Sequence, residues 1–249
     1  MAGHSHAANI MYRKAAVDSK RSKIWGKLAR AITVAARMGG GDPDANARLR
    51  KALLDARSVS MPKDNIERAV KKGTGEISGE DTVEELIYEG YGPGGVAVMC
   101  EILTDNRHRT APEIRKIFSV NGGELGKSNC IAFLFERKGL IVVSSAQAGE
   151  EQLMEIALEA GADDIRQHGN TFEILTSPDK YLAVSEALTA ANIQTEASQL
   201  TRLPTTTVDL DVDTARQVLK LMEQLDDVQS VAANYNIPEQ VLAEVAKGS

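Results

Sequence analysis

Apolar positions in residues 20–38 (KRSKIWGKLARAITVAARM) recur with a helical period, and Ile24, Leu28, Ile32 and Ala35 fall on one face. Gly39-Gly40-Gly41 breaks that period. Asp42 then offers an N-cap and Pro43 a first helical position, which predicts a second helix to about Ser58 with Leu49, Leu53 and Leu54 as its apolar face. Pro62 opens a third helix with Ile66, Ala69 and Val70 turned inward. Gly73-Thr74-Gly75 stops it and begins a linker to about Asp81. Three helices this short bury a small core, so modest stability is expected of this domain.

Beyond the linker the pattern changes. EELIYEGY and VAVMCEIL read as strands joined by a tight turn at GPGG, and residues 110–120 read as a helix. NCIAFLFERKGLIVVS reads as a strand pair turning at Arg137-Lys138-Gly139. GLIVVS, EEQLMEIALEAG, ADDIRQ, TFEILTS, PDKYLAVSEALTAAN and IQTEASQLTRL then alternate as β-α-β-β-α-β over about 139–203, the ferredoxin-like order. After Pro204 come a strand (TTTVDLDV), a helix (DTARQVLKLMEQL), a short strand (VQSVAANY) and a terminal helix (PEQVLAEVA). Strands before residue 137 need partners that those after 204 can supply. The predicted fold is therefore α+β and multidomain. A basic three-helix domain with an arm covers 1–78, and an α/β domain is built from 79–136 plus 205–249. A ferredoxin-like (βαββαβ) domain, 137–204, is inserted in it.

A length of 249 residues suits two or three such domains. No apolar run approaches the ~20 residues that span a membrane, and the N-terminal residues lack the apolar stretch of a secretory signal. A cytoplasmic location and no membrane partner are expected. Cys100 and Cys130, both in apolar strand-like contexts, read as reduced core residues. A metal site would need more ligands at ligand spacing, so neither metal nor cofactor is expected.

Charge changes the picture most. The net charge of −6 averages two unlike parts: residues 1–75 hold 16 Lys/Arg and 6 Asp/Glu, net +10, and the remainder is net −16. Such asymmetry points to a polyanionic partner for the basic part. The plain alternative is two oppositely charged parts that attract each other. On the first helix Lys20, Lys23, Lys27, Arg30 and Arg37 cluster on one side, roughly opposite the Ile24/Leu28/Ile32 stripe. Arg13, Lys14 and Arg21 extend the positive surface, and Asp18 is the one acid between Met1 and Gly41. A phosphate backbone rewards this pattern through counterion release, for DNA and RNA alike. Residues 1–19 have little apolar periodicity and are expected to order on a partner, where His4, His6 and Tyr12 could stack on bases or bond phosphates.

Signals for catalysis are thin. Gly39–Gly41 lacks the P-loop pattern and is followed by Asp42, which would repel an anion; GYGPGG (90–95) reads as a hairpin turn. Asp105-Asn106-Arg107-His108-Arg109 follows a strand, where active-site loops often sit, but one His without a matching nucleophile or metal motif predicts no convergent polar pocket. Helix capping and an Arg-mediated surface contact are the expected roles of this loop, and no enzymatic activity is expected.

Long motifs also occur in a fixed order: MAGHS, GGGDP, MPKDNIERA, KKGTG, YEGYGPGGVA, TDNR, GGELG and FERKG. In these the chain closely resembles the YebC/PmpR family, whose relatives include the mitochondrial translational activator of cytochrome c oxidase. The resemblance implies a helical N-terminal domain followed by two α/β domains, the ferredoxin-like one inserted in the other. It implies DNA-binding transcriptional regulation for many members, a ribosome-associated translation role on ribosomal RNA for others, and no catalysis or cofactor. The family usually has Lys-Trp after MAGHS and Lys-His before Arg-Lys, where this chain has His6, Ala7, Met11 and Tyr12. Two charges and an aromatic are lost, so the arm is expected to hold phosphate less well. His4, Ser5, Asn9, Arg13, Lys14, Lys20, Arg21 and Lys23 match and carry over as nucleic-acid contacts. Lys27, Arg30 and Arg37 join them from the helical reading. The acidic α/β domains are expected to face a protein partner, and the chain to be a monomer.

Overall fold

The computed structural model describes residues 21–77, 83–104, 106–225, 228–238 and 240–241. Its N-terminal domain packs α1 (Arg21–Gly39), α2 (Ala47–Ser58) and α3 (Lys63–Thr74) around Ile32, Ala35, Leu49, Leu53, Ala56 and Met61. Leu54, expected in this core, is 43% exposed. At 100° per residue it stands well round the helix from Leu49, and Ala52 and Ala56 take its place.

α2 starts later than expected, because Asn46 and not Asp42 caps it. Asn46 Oδ1 accepts from the Leu49 N–H at 3.0 Å, while its amide donates to the carbonyls of Ala35 (2.8 Å) and Gly40 (2.9 Å). One buried side chain thus opens α2 and satisfies the end of α1. Asp42 instead accepts from the Asp44 N–H within the connecting turn. α1 and α3 cross where Gly73 lies against Thr33 and Ala36, and the Thr33 hydroxyl bonds the Ala69 carbonyl at 3.1 Å.

In the second domain β1 (Glu84–Tyr91), β2 (Ala97–Thr104), β3 (Glu124–Leu125) and β9 (Ser230–Ala233) form an antiparallel sheet ordered β3-β1-β2-β9. The late strand β9 supplies a partner for β2, as the inserted arrangement requires. β8 (Val208–Asp209) pairs with β10 (Tyr235–Asn236) in a separate parallel pair. The β1–β2 turn at Pro93–Gly95 is possible because Gly94 and Gly95 have φ of 70° and 76°. α4 (Arg107–Val120) and α7 (Val212–Gln224) cover one sheet face, packing Ile114, Phe118, Val218 and Leu221 on Val98, Cys100 and Ile102. Met99, Ile131, Phe135 and Ala232 form the core of the other.

The inserted domain runs β4 (Phe135–Ser144), α5 (Glu150–Glu159), β5 (Asp164–His168), β6 (Thr171–Thr176), α6 (Tyr181–Ala190) and β7 (Ala197–Pro204). Its antiparallel sheet is ordered β5-β6-β4-β7, the ferredoxin-like arrangement. Alternate residues of β4 enter different cores, Ile141 and Val143 beneath the helices, Leu140 and Val142 on the opposite face. That is why GLIVVS is apolar throughout. The strand pair expected around Arg137-Lys138-Gly139 is one continuous strand. Gly139 is needed there for packing rather than for a turn, since a Cβ would lie 2.5 Å from the Tyr181 ring. The segment before it is a short helical turn, Ala132–Leu134. Cys100 is buried in β2, but Cys130 is half-buried in a turn and not in a strand. The terminal helix expected from Pro238 lies largely outside the described residues.

Candidate nucleic-acid interface

α1 carries the sequence motif most suggestive of function, and its surroundings decide which charges reach solvent. Ile32, Thr33, Val34, Ala35 and Ala36 are all buried, so the second half of α1 is covered nearly all round. α2 and α3 take its apolar side, and β2 of the second domain packs against it as well. The outward row of cations expected along this helix is therefore interrupted. Arg37 is exposed and donates to the Val83 carbonyl at 3.3 Å. Lys27 and Arg30 are half-buried. Arg30 turns into a cleft against the second domain, where its Nε is buried without a hydrogen-bond partner among the described residues. His4, Ser5, Asn9, Arg13, Lys14 and Lys20 lie outside the described residues. Arg21 and Lys23 lie in the first turn of α1, and their side chains are likewise outside them.

Three of the four basic side chains of α2 lie against the other two domains. Arg48 pairs with Glu85 at 3.0 Å, and Arg50 lies 3.9 Å from Glu186. Lys51 pairs with Asp55, donates to the Ser198 carbonyl and sits 5.5 Å from the centre of the Tyr181 ring. Burial pushes the Asp55 carboxyl up against the pull of Lys51, and burial also pushes the Tyr181 phenol up. Attraction between oppositely charged domains thus accounts for Arg48 and Arg50, and Lys51 is held by Asp55 of its own helix and by a carbonyl and a ring of the inserted domain. Such attraction does not account for Arg57, Arg68 and Lys71, which are exposed and make no ion pair among the described residues. The helical spacing of α3 already puts Arg68 and Lys71 opposite Ile66, Ala69 and Val70, so the sequence held the signal for them.

The loop after β2 departs most from expectation. Thr104 Oγ1 accepts from the Asn106 N–H at 3.0 Å and lies 2.8 Å from the Thr110 hydroxyl, and Asn106 caps α4 by accepting from the Arg109 N–H at 3.0 Å. The expected capping role is therefore met by Asn106. Yet where no convergent polar pocket is expected, two grooves flank the first turns of α4. One, of about 570 Å³, lies between the helical domain and the second domain and is lined by Arg30, Lys72, Thr104, Arg109, Thr110 and Glu113 among others. The other, of about 430 Å³, is lined by Tyr88, Arg107, His108, Ala111, Pro112 and Arg115. Among the described residues its lining is basic and aromatic, with no carboxylate, Ser or Cys beside His108. Its chemistry is that of anion binding.

No helix among the described residues is long and apolar enough to cross a membrane. Residues 5–76 match the model of the TACO1/YebC protein N-terminal domain, and residues 83–236 match that of the TACO1/YebC second and third domain. A probable transcriptional regulatory protein of Rhodopirellula baltica is 53% identical over 98% of this chain and 100% of its own. One of Rubrobacter xylanophilus is 52% identical over 99% and 100%. The crystal structure of a conserved hypothetical protein from Aquifex aeolicus superposes with a TM-score of 0.81 at 48% identity, covering 91% of this chain and 94% of that one. With both family models matched in order along nearly the whole chain, and relatives about half identical over their full length, the protein belongs to the TACO1/YebC family.

Proposed function

We propose that this protein is a non-enzymatic regulator that binds nucleic acid, a DNA-binding transcriptional regulator acting in the cytoplasm. The observation that carries this reading is the segregation of charge: a +10 segment over residues 1–75 beside a −16 body, with Arg57, Arg68 and Lys71 of the basic part left facing solvent. A surface of this kind grips the phosphate backbone and positions the protein without reading bases. The regulatory names of the relatives agree with it. The contacts are assigned to the arm (His4, Ser5, Asn9, Arg13, Lys14), to Lys20, to the first two turns of α1 (Arg21, Lys23, Lys27) and to Arg57, Arg68 and Lys71. The acidic body is left for a protein partner.

Reversal of Lys20, Lys23 and Lys27 to Glu together tests the assignment. Duplex DNA binding is expected to be lost at 150 mM salt, and any residual binding to show a salt slope shallower by roughly 3. Unchanged affinity and slope overturn the reading. Sedimentation with ribosomes but no retention on duplex DNA at matched salt would replace DNA with ribosomal RNA, since A-form RNA is also held by backbone and shape.

A further inference from the structure

The geometry points to a second nucleic-acid contact, away from the arm and α1 start: the two grooves flanking the first turns of α4 take the sugar–phosphate chain of an unpaired strand. This inference rests on the proposed nucleic-acid function and specifies where and in what form a strand meets the α/β body.

The first observation is Arg30. Its guanidinium enters the cleft between the helical domain and the second domain, with Nε buried and unbonded among the described residues. Arg30 is half-buried and lines this cleft, where a cation largely removed from water gains from an anion brought alongside it. Lys72 and Arg109 line the same cleft, with Glu113 as the one carboxylate of its lining among the described residues; the hydroxyls of Thr104 and Thr110 are engaged with each other and with the Asn106 carbonyl. The bonds among Thr104, Asn106, Thr110 and the Arg109 N–H fix the loop, so the cleft wall is preorganised.

The second observation is the other side of the same helix. Arg107, His108 and Arg115 line a groove that holds no acidic side chain among the described residues and includes Tyr88. α4 carries Arg107, Arg109, Arg115 and Lys116 against Glu113 alone, although residues 76–249 are net −16. A basic helix on an acidic body needs its own explanation. Cations along a groove with an aromatic face beside them are what a single strand requires, phosphate pairing for the chain and a ring for a base. Grooves of about 570 and 430 Å³ have the size of small-ligand sites, room for a nucleotide or so each and not for a duplex.

The experiment is fluorescence anisotropy of the full chain with labelled twelve-residue oligo(dT), oligo(U) and a duplex of the same length, at two salt concentrations. The Arg107→Glu/Arg115→Glu variant is expected to bind both unpaired oligonucleotides about tenfold or more weaker, with a salt slope shallower by roughly 1.4, and to bind the duplex as the wild type does. Arg107 and Arg115 are exposed, so their reversal leaves the fold in place, which a thermal melt checks. Arg30→Gln removes the cleft charge separately and is expected to weaken the same two ligands. Comparison of oligo(dT) with oligo(U) identifies the sugar preferred. If the wild type binds the duplex through Lys20, Lys23 and Lys27 while both α4 and Arg30 variants bind unpaired strands normally, this inference fails alone. If the wild type binds none of the three ligands, the proposed function fails with it. Competition by an acidic peptide but not by oligonucleotide would also overturn it in favour of a protein ligand.

Discussion

Arg202 Nε donates to Glu101 Oε1 at 2.8 Å, so the last strand of the inserted domain, β7, is tied to the central strand of its host, β2. The other oxygen of Glu101 accepts from the Ser230 hydroxyl of β9 at 2.7 Å. Each partner keeps only about a quarter of its side chain exposed, 24% for Arg202 and 29% for Glu101, so water screens the pair poorly. Arg202→Ala is expected to lower stability by about 1–2 kcal/mol, and Glu101→Ala by somewhat more because Ser230 also loses its acceptor. A double-mutant cycle from urea midpoints should return a coupling of about 1 kcal/mol. A coupling near zero would mean that solvent replaces the bond at no cost.

Two helical glycines should respond with opposite signs. A Cβ at Gly73 would lie 2.5 Å from the Thr33 carbonyl oxygen and 2.6 Å from Ala36 Cβ, and neither can swing aside. Gly73→Ala is expected to cost about 1–3 kcal/mol through overpacking, outweighing a gain in helix propensity of at most about 1 kcal/mol. Among the described residues a Cβ at Gly26 would meet only Arg30 Nη1, at 3.9 Å, so Gly26→Ala should keep most of that gain. Thermal melts of the two variants check the contrast. A stabilised Gly73→Ala would show that α1 and α3 can separate freely.

Asp211 caps α7 with its carboxylate. It accepts from the Thr214 hydroxyl at 2.6 Å and from the N–H groups of Thr214 and Asp213 at 2.9 and 3.0 Å. These bonds, the Thr214 hydroxyl foremost, hold its pKa below the ordinary 3.8. A lowered folded pKa makes the contribution to stability complete above 3.8 and lost as pH falls through the lower folded value. Asp211→Asn keeps a capping oxygen but has no proton to take up, so the stability-versus-pH curve should flatten in that window. An unaltered acid limb would assign the loss to other carboxylates.

Periodicity alone was enough to read the helical domain, the ferredoxin-like order and its insertion, because each element buries a face that repeats along its own sequence. What escaped depended on contacts between elements. Asp42 and Asn46 are both good caps in isolation; Asn46 prevails because its amide also reaches Ala35 and Gly40. Gly139 looks like a turn until Tyr181 lies against it. A helical wheel gives α1 its polar side but not the strand that packs there, so Arg30 was expected in solvent and stands in a cleft. The sequence offers Arg107 as a surface contact, but a net charge of −16 hides Arg115 and the local basic helix that carries both. The residues assigned to the arm lie outside the described structure; charge points to Arg13 and Lys14, and for Ser5 and Asn9 the family resemblance alone does.

In the register of β4 with β7, Phe135 stands opposite Pro204. The chain therefore leaves the host domain and returns to it at neighbouring points. Once the inserted sheet has closed, an excursion of about 70 residues is no wider for the host than an ordinary hairpin. The host strands can then find each other without the entropic penalty of a long loop, and the inserted domain can be removed as a cassette and its stumps rejoined by a few residues.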